Sequence, residues 1–175
     1  MTALEALLSD PANTGVWTLT PDRSAVTFRC RSLWGLLPVK GRFTEVSGDG
    51  QLGDGTAFGR LDITAASLDT GNRKRDEHLR SEDFFDAERF PTLSVVVTAL
   101  QQAGARAQLR STLTVRGVSR PLELPAEVTR LSDGAVQIAA TGLVDRTEWE
   151  VDGNLLGMVK TDTTLAATAV FVKSG

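Results

Sequence analysis

Tyrosine is missing from this 175-residue chain, cysteine and histidine occur once each, as Cys30 and His78, and aromatic residues make up only 6% of it. Each shortage removes a class of function. A single cysteine can form no intramolecular disulfide and no thiolate zinc site. A single histidine cannot complete a His-rich metal centre. Positive charge is also in deficit, with 19 Lys and Arg against 22 Asp and Glu and a net charge of -3. The resulting pI of about 5.2 argues against a nucleic-acid surface, which needs a basic stripe. No apolar run reaches the ~18 residues of a transmembrane helix. The sequence has no Gly-x-Ser-x-Gly elbow. The glycine-rich stretch at 48–55, GDGQLGDG, lacks the lysine and helix entry of a phosphate-binding loop, and its two aspartates would repel an anion. It is read as a turn-rich connection.

The first residues, MTALEALLSDPANTG, have neither the basic start nor the long apolar core of a secretory signal. Leu4, Leu7 and Leu8 stand at helical spacing and predict a short helix ended by Pro11. Its acidic residues and lack of Lys or Arg suit an anionic membrane surface poorly. The expectation is a cytoplasmic protein without stable membrane insertion. Residues 1–14 are read as an extension and 15–175 as one domain, since no repeat, linker or low-complexity tract divides them.

What is plentiful is glycine, 16 residues in all, set between short alternating runs. Val26, Phe28 and Cys30 share one face of a strand against Thr27, Arg29 and Arg31. Leu61 and Ile63 alternate with Asp62 and Thr64. Leu109, Leu113 and Val115 share a face, and Leu122 to Thr129 alternates again. Asp133-Gly134 marks a hairpin, and 163–172 forms a last strand. About eight strands at hairpin spacing point to an antiparallel barrel or sandwich.

The stretch from Arg75 to Pro91, RDEHLRSEDFFDAERFP, reads as the one substantial helix among the strands, ended by the time Pro91 forces Phe90 towards extended geometry. Asn72 is placed to cap it. Asp76 and Arg80 stand in the favourable order for a helical ion pair, and Leu79, Phe84 and Phe85 supply an apolar edge. His78 and Glu82, four apart, could share a metal or a proton, but a solvated charged face is the blander account. The same holds for Arg73, Lys74 and Arg75, which could draw an anion to the helix entrance. Cys30, inside a strand, reads as a buried and inert thiol. Two apolar segments stand where turn chemistry should be polar, Leu33 to Leu37 and Trp149 to Leu156. They either plug a barrel end or rim the mouth of an apolar cavity.

Specific motifs go further. Ser24-x-Val26-x-Phe28, Gly41-Arg42-Phe43, Arg75-Asp76-x-His78-Leu79-Arg80-Ser81, Asp83-Phe84-Phe85-Asp86, Phe90-Pro91 and Leu113-Thr114-Val115-Arg116-Gly117-Val118-Ser119-Arg120-Pro121 occur in that order. From Trp17 to the C-terminus the chain resembles the YceI-like family of lipocalin-like, polyisoprenoid-binding proteins. The resemblance implies an all-β fold, an extended antiparallel eight-stranded barrel with one inserted helix besides the short N-terminal one. It implies binding rather than catalysis, with an isoprenoid tail in the pore and neither a catalytic residue, a metal nor a cofactor. Ser32 stands where many relatives have His, and Asp145 to Trp149 is a loose version of a family Arg-x-Asp-Phe stretch.

Strand parity places Val26, Phe28, Cys30, Leu61, Ile63, Leu113 and Val115 on the inner wall, with Phe43 of the family motif. Trp34, Leu36, Trp149 and Leu156 are expected near the mouth. The expected partner is an isoprenoid lipid, polyprenyl or quinone. The rivals are a barrel enzyme using His78 and Glu82, and a homodimerising module with a filled core and an interface at Trp34, Trp149 and the N-terminal helix.

Overall fold

The computed structural model describes residues 1–32, 37–151, 153 and 161–175. Its strands are β1 (Gly15–Leu19), β2 (Ala25–Ser32), β3 (Leu37–Phe43), β4 (Val46–Gly53), β5 (Thr56–Thr64), β6 (Leu68–Asp69), β7 (Thr92–Ala103), β8 (Arg106–Val115), β9 (Val118–Arg130), β10 (Val136–Asp145) and β11 (Asp162–Lys173). All pairings are antiparallel. The order β1-β4-β5-β7-β8-β9-β10-β11 returns to β1, so eight staves close a barrel. β2 prolongs the stave of β1 beyond a break at Pro21–Arg23, pairing with Thr164–Thr168 of β11 while β1 pairs with Phe171–Lys173. β3 lies beside β2 and meets β6 only at Arg42 and Phe43. Closure leaves most strand edges paired, the usual way an all-β chain avoids exposed backbone.

The chain's turns define two ends. The lower end holds the turns at 54–55, 104–105 and 131–135. The upper end holds the turn at 116–117 and the whole segment from Ala65 to Pro91 between β5 and β7.

Helix α1 (Ala3–Ser9) closes the lower end. Thr2 and Glu5 form a reciprocal capping box at its start. Leu4 and Leu7 turn inward, Leu4 against Leu100, Leu109 and Ala126, and Leu7 against Trp17, Leu52 and Val136. The Asn13 side chain donates to the Leu7 carbonyl, and the Trp17 indole donates to the Asn13 carbonyl, so plug and wall are stitched together.

Helix α2 (Arg73–Arg80) covers the upper end. Asn72 caps it as predicted, its side-chain oxygen accepting from the Arg75 amide at 3.0 Å. The predicted Asp76–Arg80 ion pair does not form. Asp76 is buried and accepts from the backbone amide and hydroxyl of Thr70, while Arg80 donates to the carbonyls of Ala66 and Leu68. Both side chains anchor the helix to the segment before it, which folds back close enough for Thr70, Ala66 and Leu68 to take the places helical spacing offered to the ion pair. The helix expected to run on through Phe85 instead stops at Arg80, where Ser81 turns extended and its amide donates to the His78 carbonyl. The chain then folds back in turns, with the amides of Phe85 and Ala87 donating to the carbonyls of Leu79 and Arg80. That reversal swings Phe84 and Phe85 under the helix.

The stretch 48–55 is not a loop. Val46–Gly53 is strand β4, and only Asp54-Gly55 turns, both with positive φ. A Cβ on Gly48 would lie 2.4 Å from the Arg60 carbonyl oxygen, and one on Gly59 2.5 Å from that of Asp49. Glycine here permits close strand approach rather than a bend.

Candidate functional site: an apolar cavity through the barrel

The inward faces of the staves do not fill the barrel. A cavity of about 260 Å³ runs from Leu7 and Trp17 below to Phe84, Trp149 and Val151 above, far larger than the ~10–15 Å³ that houses one water. Its wall is almost wholly apolar, Ser111 and Thr163 being among the few polar side chains that face it. Many inward residues, including Val26, Cys30, Leu61, Ile138, Leu165 and Phe171, remain only partly buried although they point away from bulk solvent. Their residual exposure is to the cavity itself.

Glycine makes much of the room. Gly50, paired with the inward Trp17, would carry a Cβ with nothing nearer than 3.7 Å. Gly41 and Gly142 behave differently, since the Phe28 ring lies over the first and Leu124 over the second. Phe28, Phe43 and Phe85 form a cluster with ring centroids 5.6 to 6.4 Å apart. This cluster packs into the upper wall at β3, whose outer edge has no full-length neighbour among the described residues.

Val26, Phe28, Cys30, Phe43, Leu61, Ile63, Leu113, Val115 and Trp149 all line this cavity. Trp149 is 3% exposed, and its indole donates to the Leu113 carbonyl at 2.8 Å. It therefore forms part of the upper end wall rather than an exposed rim. Trp34, Leu36 and Leu156 lie outside the described residues. Parity also applied to Leu124, Ile138 and Ala140, whose alternation was visible in the sequence and which belong to the same wall. Leu165, Ala167 and Phe171 were harder to find, because β11 carries small or apolar residues on both faces and its period of two is blurred.

Two charged groups bear on the upper end. Arg146 lines the cavity, donates to the Val151 carbonyl and sits 5.6 Å from the Phe84 ring centroid. Burial pushes the Cys30 thiol above its usual value, opposed by the positive charges of Arg146 and Arg75. Cys30 is thus a protonated, apolar wall group.

His78 and Glu82 are not brought together. His78 Nε2 lies 3.2 Å from Asp83 Oδ2 and the ring meets Phe84 edge-on, while Glu82 is exposed. Neither is among the residues lining the cavity. Among the described residues, no three His, Cys, Asp or Glu side chains converge as a metal site would require.

The YceI-like domain matches residues 17–171. The chain belongs to the YceI-like family. A UPF0312 protein of Photorhabdus laumondii is 39% identical over 66 residues, covering 38% of this chain and 34% of the relative. Protein YceI of Escherichia coli O157:H7 is 32% identical over 71 residues, 41% of this chain and 37% of the relative. The matches therefore span between about a third and a half of the curated relatives' length. Among solved structures, BcnA of Burkholderia cenocepacia superposes with a TM-score of 0.77 at 19% identity, over 87% of this chain and 98% of that one. A domain from Saccharophagus degradans, described as polyisoprenoid-binding and implicated in plant cell wall breakdown, gives 0.75 at 16% identity over 90% and 98%. These two likenesses establish the shared barrel fold. Helix α1 precedes the first matched residue of the YceI-like domain.

Proposed function

We propose that this YceI-like protein binds a long-chain isoprenoid lipid, a polyprenyl chain or an isoprenoid quinone, and carries or sequesters it without a catalytic step. The observation that carries the reading is the bore: long, narrow, apolar and unfilled, with both ends faced by tryptophan. A branched hydrocarbon tail has little to hydrogen-bond and much to desolvate, and each buried methylene contributes about 0.8 kcal/mol. Ordering a flexible tail offsets part of that gain. The polyisoprenoid-binding description of the Saccharophagus domain supports the same class of ligand, and Arg146 at the upper end is the group we assign to a polar or anionic head.

The two cavity tryptophans, Trp17 below and Trp149 above, supply the test. Delipidated protein titrated with a long-chain isoprenoid quinone is expected to show saturable quenching of tryptophan fluorescence at one quinone per barrel. Trp17→Phe and Trp149→Phe should each remove a share of that signal. Quenching that never saturates, or that Gly50→Leu leaves unchanged, would count against occupancy of the bore.

A further inference from the structure

Acidic residues outnumber basic ones over the whole chain, yet from Ser24 to Thr44 there are four cations, Arg29, Arg31, Lys40 and Arg42, and no Asp or Glu. Strand parity sends all four outward, because Val26, Phe28 and Cys30 on β2 and Val39, Gly41 and Phe43 on β3 point into the barrel. Register compresses them further. Arg29 is the direct cross-strand partner of Lys40, and Arg42 faces Thr27. Like charges placed directly opposite destabilise a sheet, so this arrangement costs stability in the isolated protein. On the far side of β2 the flanking residues of β11 are Thr164 and Ala166, which are neutral. Asp69, 3.7 Å from Arg42, is the one carboxylate among the described residues lining the shallow cleft between these strands.

Edge protection explains part of this pattern. Among the described residues β3 has no strand partner beyond Arg42 and Phe43 on its outer side, and Pro38 and Lys40 are suited to blunting such an edge. It does not explain Arg29 of β2, which is paired on both sides, with Thr164 of β11 and Lys40 of β3. The patch also has a telling position. It lies on the upper half of the barrel, directly outside Cys30 and Phe28 of the cavity wall, and Arg73 and Lys74 are exposed at the start of α2 at the same end.

We propose that the outer face of β2 and β3 docks on an anionic phospholipid surface, bringing the upper end of the barrel to the bilayer. The complement to a dense cationic face on a protein of net negative charge is a surface with many anions at close spacing, and the attraction acts within a Debye length of roughly 8–10 Å. Each cation held near such a surface strengthens partitioning roughly fivefold. The inference stands apart from the identity of the cargo, because the docking face is outside the bore.

Co-sedimentation with vesicles tests it, using phosphatidylcholine alone and phosphatidylcholine with added phosphatidylglycerol. The full chain is expected to bind only the anionic vesicles and to lose binding as salt rises. Arg29→Gln with Lys40→Gln should weaken partitioning roughly twenty-five-fold, with a thermal melt at or above that of the unmutated protein because the like-charge pair is gone. Arg106→Gln with Arg110→Gln, on the opposite wall at β8, should leave it near the wild-type level. No binding to anionic vesicles, equal binding to both vesicle types, or equal losses in the two double variants would each overturn the proposal. The first of these would leave an acidic protein face as the alternative complement. Quinone titration of the unmutated protein keeps the two questions separate, since no docking on anionic vesicles with intact quenching overturns this inference alone.

Discussion

Gly50 and Gly59 face each other across β4 and β5, yet a side chain has opposite consequences at the two positions. At Gly50 a Cβ enters open bore, 3.9 Å from the Phe171 ring, whereas at Gly59 it strikes a backbone oxygen at 2.5 Å. Gly50→Leu is expected to fold with unchanged or slightly raised stability, since strand glycine costs about 0.5–1 kcal/mol, and to lose lipid uptake. Gly59→Ala is expected to lose about 1–3 kcal/mol by forcing the strands apart; paired urea melts and uptake assays check both. Cys30 reports on the same space. Its thiol is raised by burial, so alkylation by uncharged N-ethylmaleimide at neutral pH should be slow, accelerate as pH rises, and stop once the bore is loaded. Labelling at the rate of a free thiol, with or without lipid, would place Cys30 outside the bore.

Helices α1 and α2 act as lids of different kinds. Leu4 is 1% exposed and Leu7 lines the bore, so Leu4→Ala is expected to cost about 2–5 kcal/mol, and Leu7→Ala to lengthen the accessible bore. α2 is held by polar anchors, and Asn72→Ala should cost about 1 kcal/mol, with thermal unfolding as the measure in each case. Helix α1 and the start of α2 were legible in the sequence because the cues were local, leucines at spacing 3–4 and a cap before a charged run. The end of α2 was not, because the stop at Ser81 depends on the chain folding back to place Phe84 and Phe85 beneath the helix. The partners of Asp76 and Arg80 were not legible, because helical spacing permits their pairing while Thr70, Ala66 and Leu68 reach them only after the chain has folded. β4 was missed for a related reason. Glycine reads as turn in a sequence, and the need for glycine at 48 and 59 exists only once Asp49 and Arg60 present their carbonyls from the neighbouring strand. Parity within Val26–Cys30, Leu61–Ile63 and Leu113–Val115 needs no such knowledge, and it found wall residues on three staves. The run at Thr163–Ala169 offers two small faces, so the same rule failed there.

For the molecule as a whole, three exposed carboxylates held below their ordinary range contribute to stability against acid. Backbone and side-chain hydrogen bonds from Thr2 lower Glu5, the Ala135 amide and Arg23 lower Asp133, and the Thr147 hydroxyl and amide lower Asp145. Their unfolded forms take up protons first as pH drops. The stabilisation is therefore complete above the ordinary carboxylate range and is lost as pH falls through the lowered folded values. Urea midpoints measured downward from neutral pH should stay flat and then fall in that window, and Asp145→Ala should shrink the fall. Binding makes no comparable demand on charge, because the bore's wall is almost wholly apolar. On the proposed reading, burial of the tail supplies the binding energy, Arg146 meets the head, and the outer charges direct the barrel to a membrane. The most direct measurement is of the contents of the bore. Protein purified gently from its native host, extracted with organic solvent and examined by mass spectrometry, is expected to yield one isoprenoid lipid per chain. An empty extract, together with no uptake when polyprenyl lipids and quinones are offered to the purified protein, would contradict the account.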